Sequence, residues 1–317
     1  MTDDTPDYDV VIVGGGPGGC SAGVFTARYG LDTVIFDRGN AALRRCAYLE
    51  NYLGFPAGIN IDTFYALMHA HVEELGCERI PDMVESVTRA ETDSIADESA
   101  NDESVFVVET QDGRSVTAKN VLAAAWYDGE YLRPLGGDEM FEQHEHDGEK
   151  HDHFDPEYAD GDGRTPIEGL YVAAPAGQRS VQAIVAAGHG AHVARCLLED
   201  YRREIGFPDG VAPHYDWLRR ESEFSGEWAE RDRWREWFEN EVEDDHDIDD
   251  ERFVELRERY IDRAFETRVS DAEVENRSQR GVRHLVETIG TKQVLDALDD
   301  GEIREYVVDE MSDEENS

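Results

Sequence analysis

Lysine is nearly missing from this chain. Of 317 residues only Lys119, Lys150 and Lys292 are lysines, although Lys and Arg together number 30. Cations of either kind are outnumbered by 73 Asp and Glu, for a formal net charge of -43 at pH 7. That balance excludes a nucleic-acid binder, because a polyanion repels phosphates and has few cations with which to displace their counterions. An anionic membrane surface is excluded on the same ground. No apolar run approaches the roughly 18 residues of a membrane span, and the first ten residues, MTDDTPDYDV, are acidic and lack the basic region of a signal peptide. Cysteine is also scarce. Cys20, Cys46, Cys77 and Cys196 lie at least 26 residues apart, so there is no CxxC, no local dithiol couple and no local cysteine metal motif. They read as reduced thiols, and the protein as cytoplasmic.

What is abundant is acid, spread through apolar, periodic segments rather than gathered in a tail. Acid everywhere with lysine almost absent resembles the composition of haloarchaeal cytoplasmic proteins. Such a chain repels itself in dilute buffer and is relieved only in molar salt, where the Debye length falls to about 3 Å. The hydrophobic share of 39% is still enough for a core.

The first informative pattern is Tyr8 to Val13 (YDVVIV), a β-branched run that predicts a buried parallel strand. It enters Gly14-Gly15-Gly16-Pro17-Gly18-Gly19, then a small-residue helix ending at Gly30, then a second strand over Thr33 to Asp37. Gly14, Gly16 and Gly19 satisfy G-x-G-x-x-G in the strand-to-helix setting that gives the motif meaning. Gly14 makes the tight turn, Gly16 admits a pyrophosphate to the backbone, and Gly19 lets helix and strand close up. The helix N-terminus offers N–H groups to phosphates. Asp37 closes the unit where it can accept hydrogen bonds from an adenosine ribose.

Downstream, Ile61 to Gly76 reads as a helix, while Met83–Val87, Val105–Thr110 and Ser115–Ala118 read as a β-meander with a turn at Asp112-Gly113. Residues 91–104 read as a solvated hairpin loop, and Asn120 to Ala125 as a further buried strand. Residues 138–163 lose apolar pattern and read as an acidic flexible insert. Gly169–Ala174 and Val181–Leu198 form a last strand, turn and helix. Beyond Tyr201 the spacing predicts helices, among them one carrying Phe253, Leu256, Tyr260 and Ile261, with a capping pattern at Ser270 and Glu273. The expected organisation is α/β: 1–137 with 164–200 as one discontinuous domain, 138–163 as insert, and 201–317 as a helical C-terminal region.

VVIVGGGPGGCSAGVFTARYG, LENYLGFPAGI and GLYVAAPAGQRSVQAIVAAGHGA together resemble the FAD-binding domain of thioredoxin reductases, a Rossmann-like domain with a β-meander. The resemblance covers roughly 8–135 and 166–198. It implies FAD, with Gly14, Gly16, Pro17, Gly18 and Gly19 on the pyrophosphate, and Asp37 and Arg38 near the adenosine. It further implies Val84 against the adenine, Asn51 near the isoalloxazine, and Gln182 and Ala183 at the flavin ring. A homodimer is likewise implied only by the resemblance. The departures carry weight. Only 41 residues, 127–167, stand where the family inserts an NADPH domain with its CxxC, against roughly 100 or more for such a domain. Where the family has A-T-G the chain reads Ala124-Ala125-Trp126, and where it has Gly-Asp it reads Ala174-Pro175. Loss of that carboxylate implies weaker retention of FAD.

His144, His146, His151 and His153 form two HxH pairs that fit a polar solvated loop better than a metal site, so no metal ligand is assigned. Cys20, Cys46 and His189 read as packed or surface residues rather than redox or catalytic groups. Four of five tryptophans fall in residues 217–237 and read as a packing stripe. Two functions remain open. One is a flavin-dependent oxidoreductase without the NADPH domain, fed by an unidentified small-molecule or protein electron donor. The other is a catalytically silent flavin- or dinucleotide-binding sensor or scaffold. No catalytic acid, base or thiol is assigned.

Overall fold

The computed structural model describes residues 5–90, 105–125, 129–146, 149–242 and 248–314. The expected loop at 91–104 lies outside them. The chain divides into two compact units, Met1–Arg268 and Val269–Ser317. The first opens with β1 (Tyr8–Val13), α1 (Pro17–Tyr29) and β2 (Thr33–Phe36), and continues with α2 (Ile61–Glu74), β3 (Glu78–Ile80), β4 (Val84–Arg89), β5 (Phe106–Thr110) and β6 (Ser115–Ala124). Then come α3 (Arg133–Gly136), β7 (Phe141–His146), β8 (Glu149–Phe154), β9 (Leu170–Ala174), α4 (Ala183–Glu204), α5 (Arg231–Glu241) and α6 (Asp250–Glu266).

Seven strands form one mixed sheet in the order β3-β2-β1-β6-β5-β4, with β9 beside β6. β1 pairs in parallel with β2 and β6, and β6 in parallel with β9, while β4, β5 and β6 run antiparallel. The fold is α/β, as the alternation of strand, helix and strand requires. One edge of β6 is shared: its first half pairs with β5 and its second half with β9. The two strands expected at 115–118 and 120–125 are therefore one. Asn120 continues the ladder through its backbone, and its side chain bonds back to Asp9 O at 3.3 Å.

Period-2 alternation in β1 builds both cores. Val10 and Ile12 face α1 and α4, meeting Leu122, Val193 and Leu197. Val11 and Val13 face the meander, meeting Phe106, Val121 and Met140. Here the structure corrects the reading of 138–163 as a flexible insert. β7 and β8 pair antiparallel, with Phe141 opposite Phe154. Met140 and Phe154, 0% and 3% exposed, anchor the pair in the core beside Leu132. Two apolar residues at the hairpin ends are enough, although the strands between them are polar.

The C-terminal expectation is also corrected, because 201–317 is not one region. α4 runs on to Glu204, and α5 and α6 belong to the first unit, where Phe207, Phe238 and Leu256 form their own small core. Trp234 is buried and stacks on Phe224 at 5.7 Å, whereas Trp217 is 70% exposed. The second unit consists of α7 (Asp271–Ile289), α8 (Thr291–Asp296) and α9 (Asp300–Glu314). Ser270 Oγ accepts from Glu273 N at 3.2 Å, the N-cap expected there. Among the described residues no helix is long and apolar enough to cross a membrane.

Candidate functional site

The carboxyl ends of β1, β2 and β6 open onto a cleft of about 830 Å³ lined by the glycine turn, the residues after β2 and the start of α4. That volume falls in the roughly 300–1,000 Å³ range of cofactor sites. A side chain on three glycines of the turn would collide with the fold. At Gly14, with φ +119°, a Cβ would stand 2.7 Å from Ala124 O, and at Gly19 it would stand 1.8 Å from Gly14 O. At Gly15 it would meet the Asp37 Cβ at 2.5 Å. Gly16 differs: its φ is -81°, and a Cβ there meets nothing within 4 Å. The space over Gly16 belongs to the cleft.

Pro17 occupies the first turn of α1, and neither α1 nor α4 carries an acid in its first turn. Two helix N-termini with unpaired N–H groups therefore border the cleft without competing carboxylates. α1 and α4 also touch each other closely, since a Cβ on Gly190 would lie 2.0 Å from Gly18 O. Asp37, 5% exposed, is the one carboxylate lining the cleft among the described residues, and its Oδ1 accepts from Gly39 N at 2.9 Å. Arg38 lines the same end. At the other end Asn51 Nδ2 donates to Gln182 Oε1 at 2.9 Å, just before Ala183 begins α4.

Sequence reasoning thus assigned residues that the fold gathers around one cavity, with two exceptions. Gly19 is buried at the contact of turn and helix, where its packing role places it. Val84 is not among the residues lining the cleft; its side chain, 1% exposed, packs in the sheet core. The start of β4 turns it inward, between Ile80 and the meander.

Other residues at or beside the cleft were not expected there. Tyr65, from α2, borders the cleft, and its buried hydroxyl has no hydrogen-bond partner among the described residues. Burial pushes its pKa up to about 12. The hairpin brings His153 and Phe154 to the cleft. His69 Nε2 lies 3.2 Å from Gly15 O and 3.4 Å from Asp37 Oδ2. Two facing acceptors fix a proton on that nitrogen, and burial holds the ring below its ordinary pKa. His69 thus ties the glycine turn to the acid that follows β2. Cys20 is packed: its thiol donates to Gly15 O at 3.3 Å, and burial raises its pKa to about 12.

The residues fit FAD at the dinucleotide end, where the bare N–H groups over Gly16, the carboxylate of Asp37 and Arg38 are in place. At the ribityl end Ala174-Pro175 contributes no carboxylate, so the fit there rests on Asn51, Gln182 and the start of α4.

Sheet, glycine turn and cleft define a Rossmann-like α/β protein. Residues 8–125 match the family model described as "Pyridine nucleotide-disulphide oxidoreductase". In sequence the chain is similar to the thioredoxin reductase of Streptomyces clavuligerus, 38% identical over 82 residues that cover 25% of this chain and 26% of that protein. It is also similar to the thioredoxin reductase of Aquifex aeolicus, 28% identical over 120 residues covering 37% and 33%. The matched stretch thus spans about a quarter to a third of these relatives. Among solved structures, a thioredoxin reductase from Gloeobacter violaceus aligns with 68% of this chain and 100% of its own at 18% identity and a TM-score of 0.48.

Proposed function

We propose that this chain is a flavin-dependent oxidoreductase that holds FAD in the cleft between the glycine turn and α4. The observation carrying the proposal is the continuity of that cleft. It runs from Asp37 and Arg38, past the open face of Gly16, to Asn51 and Gln182. When bound, the flavin supplies reversible two-electron chemistry. The protein's own residues do the holding. Backbone N–H groups at the start of α1 face the pyrophosphate, Asp37 accepts from the ribose, and the N-terminus of α4 favours negative charge beside it. Asn51 and Gln182 orient one another by their shared hydrogen bond.

The chain has no CxxC, and the 41 residues between Trp126 and Glu168 supply a short helix and a hairpin. On this reading no NADPH module precedes the flavin, and electrons arrive from a small molecule or a protein that reaches the cleft directly. The protein works in a salty cytoplasm, a reading supported by its acid content and by four free cysteines.

The test begins with the full chain purified in molar KCl. Flavin absorbance, FAD released on denaturation and bleaching by a supplied donor are the expected results. A colourless chain that also fails to take up added FAD would overturn the flavin assignment. Colour without turnover by any donor would overturn the enzymatic part and leave a sensor or scaffold.

A further inference from the structure

Away from the cleft, a second cluster of chemistry-bearing side chains stands on α4. His192 and Cys196 are four residues apart and so share one helix face. The turn before β9 is seated on that face. Gly163, with φ +79°, has no Cβ where one would strike Val193 at 2.6 Å. Asp160 Oδ1 shapes the turn by accepting from Asp162 N and Arg164 N, both at 2.9 Å. The result presents Asp162 to the helix, with its Oδ1 2.8 Å from His192 Nε2. Cys196 Sγ lies 3.8 Å from that same nitrogen. The three donor atoms all fall within 4.8 Å of one another, and among the described residues no other group of three such side chains does so.

We propose that Asp162, His192 and Cys196 form a binding site for a divalent transition metal of the Zn²⁺ class. Thiolate, imidazole and carboxylate are the donor set such ions take, whereas Mg²⁺ and Ca²⁺ avoid sulfur. With bonds of about 2.0–2.3 Å in a tetrahedron, the donors would stand about 3.4–3.6 Å apart. The observed separations bracket that spacing. Asp162 is pre-oriented, since its Oδ2 accepts from Arg164 Nη1 at 3.0 Å, leaving Oδ1 for the ion. The arginine's charge is already met by Asp200, which takes Nε at 2.7 Å and Nη2 at 2.9 Å. Such outer partners are how metal ligands are commonly aimed. Cys196 is 6% exposed, while the side chains of His192 and Asp162 are 47% and 48% exposed. The site is therefore closed toward the protein and open toward water, which would complete the coordination. Binding forms the metal–sulfur bond as the thiol proton leaves to solvent. The ion would pin the 160–163 turn to α4.

The experiment is a Co²⁺ titration of the full chain in molar KCl after chelator treatment, read as difference spectra against the metal-free protein. The expected result is a thiolate-to-cobalt charge-transfer band that saturates at one ion per chain and is displaced by Zn²⁺. Cys196→Ser should abolish the band. His192→Ala, at a half-exposed position that folding does not need, should weaken Co²⁺ binding by about tenfold or more. Absence of the band in the unmodified chain overturns the proposal. So does a band that keeps its intensity and midpoint in His192→Ala, because the ion would then sit on other residues. The HxH hairpin is the obvious competitor, and it offers no sulfur.

Discussion

Asn51 and Gln182, 131 residues apart in the chain, are joined by a single side-chain hydrogen bond of 2.9 Å across the cleft. Neither residue is buried, so the bond contributes little to folding; under the proposed function it fixes two amides beside the flavin. A double-mutant cycle of Asn51→Ala and Gln182→Ala should show each variant within about 0.5 kcal/mol of the parent in unfolding free energy. FAD affinity, followed by flavin fluorescence, should fall in both, with a coupling of about 0.5–1.5 kcal/mol. Strictly additive losses would mean that the two amides act separately.

The glycine turn allows a sharper separation of fold from binding. Gly19→Ala puts a methyl 1.8 Å from Gly14 O and should cost about 3 kcal/mol or more, or prevent folding. Gly16→Ala meets nothing within 4 Å and should leave the thermal midpoint unchanged while dinucleotide binding is lost. Calorimetry with and without FAD distinguishes the two. A Gly16→Ala protein that binds FAD normally would place the pyrophosphate elsewhere.

Acid should loosen the first unit through His214. His214 is half-buried near Arg202 and Arg263, and desolvation first, then those arginines, lowers its pKa to about 4. Unfolded, it titrates near pH 6.5. Below that pH the unfolded chain binds a proton that the folded one refuses, so stability is full above about 6.5 and falls as pH drops toward 4. The loss is on the order of 2–3 kcal/mol. Burial depresses His69, His71 and His189 in the same direction. Glu258, held down to about 2 by Arg235 and Arg231, stays ionised throughout. Urea unfolding in molar KCl at pH 7.5 and 4.5 should give a smaller difference for His214→Phe than for the parent.

Salt is the remaining variable. With a net charge of -43, dialysis from molar to millimolar KCl should unfold the chain, visible as loss of the helical circular dichroism signal. A spectrum unchanged over that range would falsify the halophilic reading.

What the sequence disclosed was whatever rests on local geometry. β1, the glycine turn, α1 and β2 were legible because each step is imposed by neighbours within a few residues. Asp37 and Gln182 could be named because a motif placed them. The burial of the Val84 side chain depends on the pairing of β4 with β5, Val84 opposite Thr110, which no local pattern reports. The hairpin at 141–154 was hidden because its strands are polar and its stability comes from Met140 and Phe154 meeting the distant Leu132 and Phe106. Tyr65, His69 and the Asp162–His192–Cys196 group were out of reach for the same reason: each becomes meaningful only when a helix is laid beside a turn from elsewhere in the chain.

The contact of Gly18 with Gly190 has a consequence for synthesis. The floor of the cleft is made from residues 14–38 and its far wall from 173–186, and the two are locked together where α1 crosses α4. A nascent chain therefore emerges with its glycine turn complete but nothing to close it, through well over a hundred residues of translation. Under the proposed function, capture of a dinucleotide waits until α4 has left the ribosome, so such a ligand would help hold the finished domain but would not template the first βαβ unit.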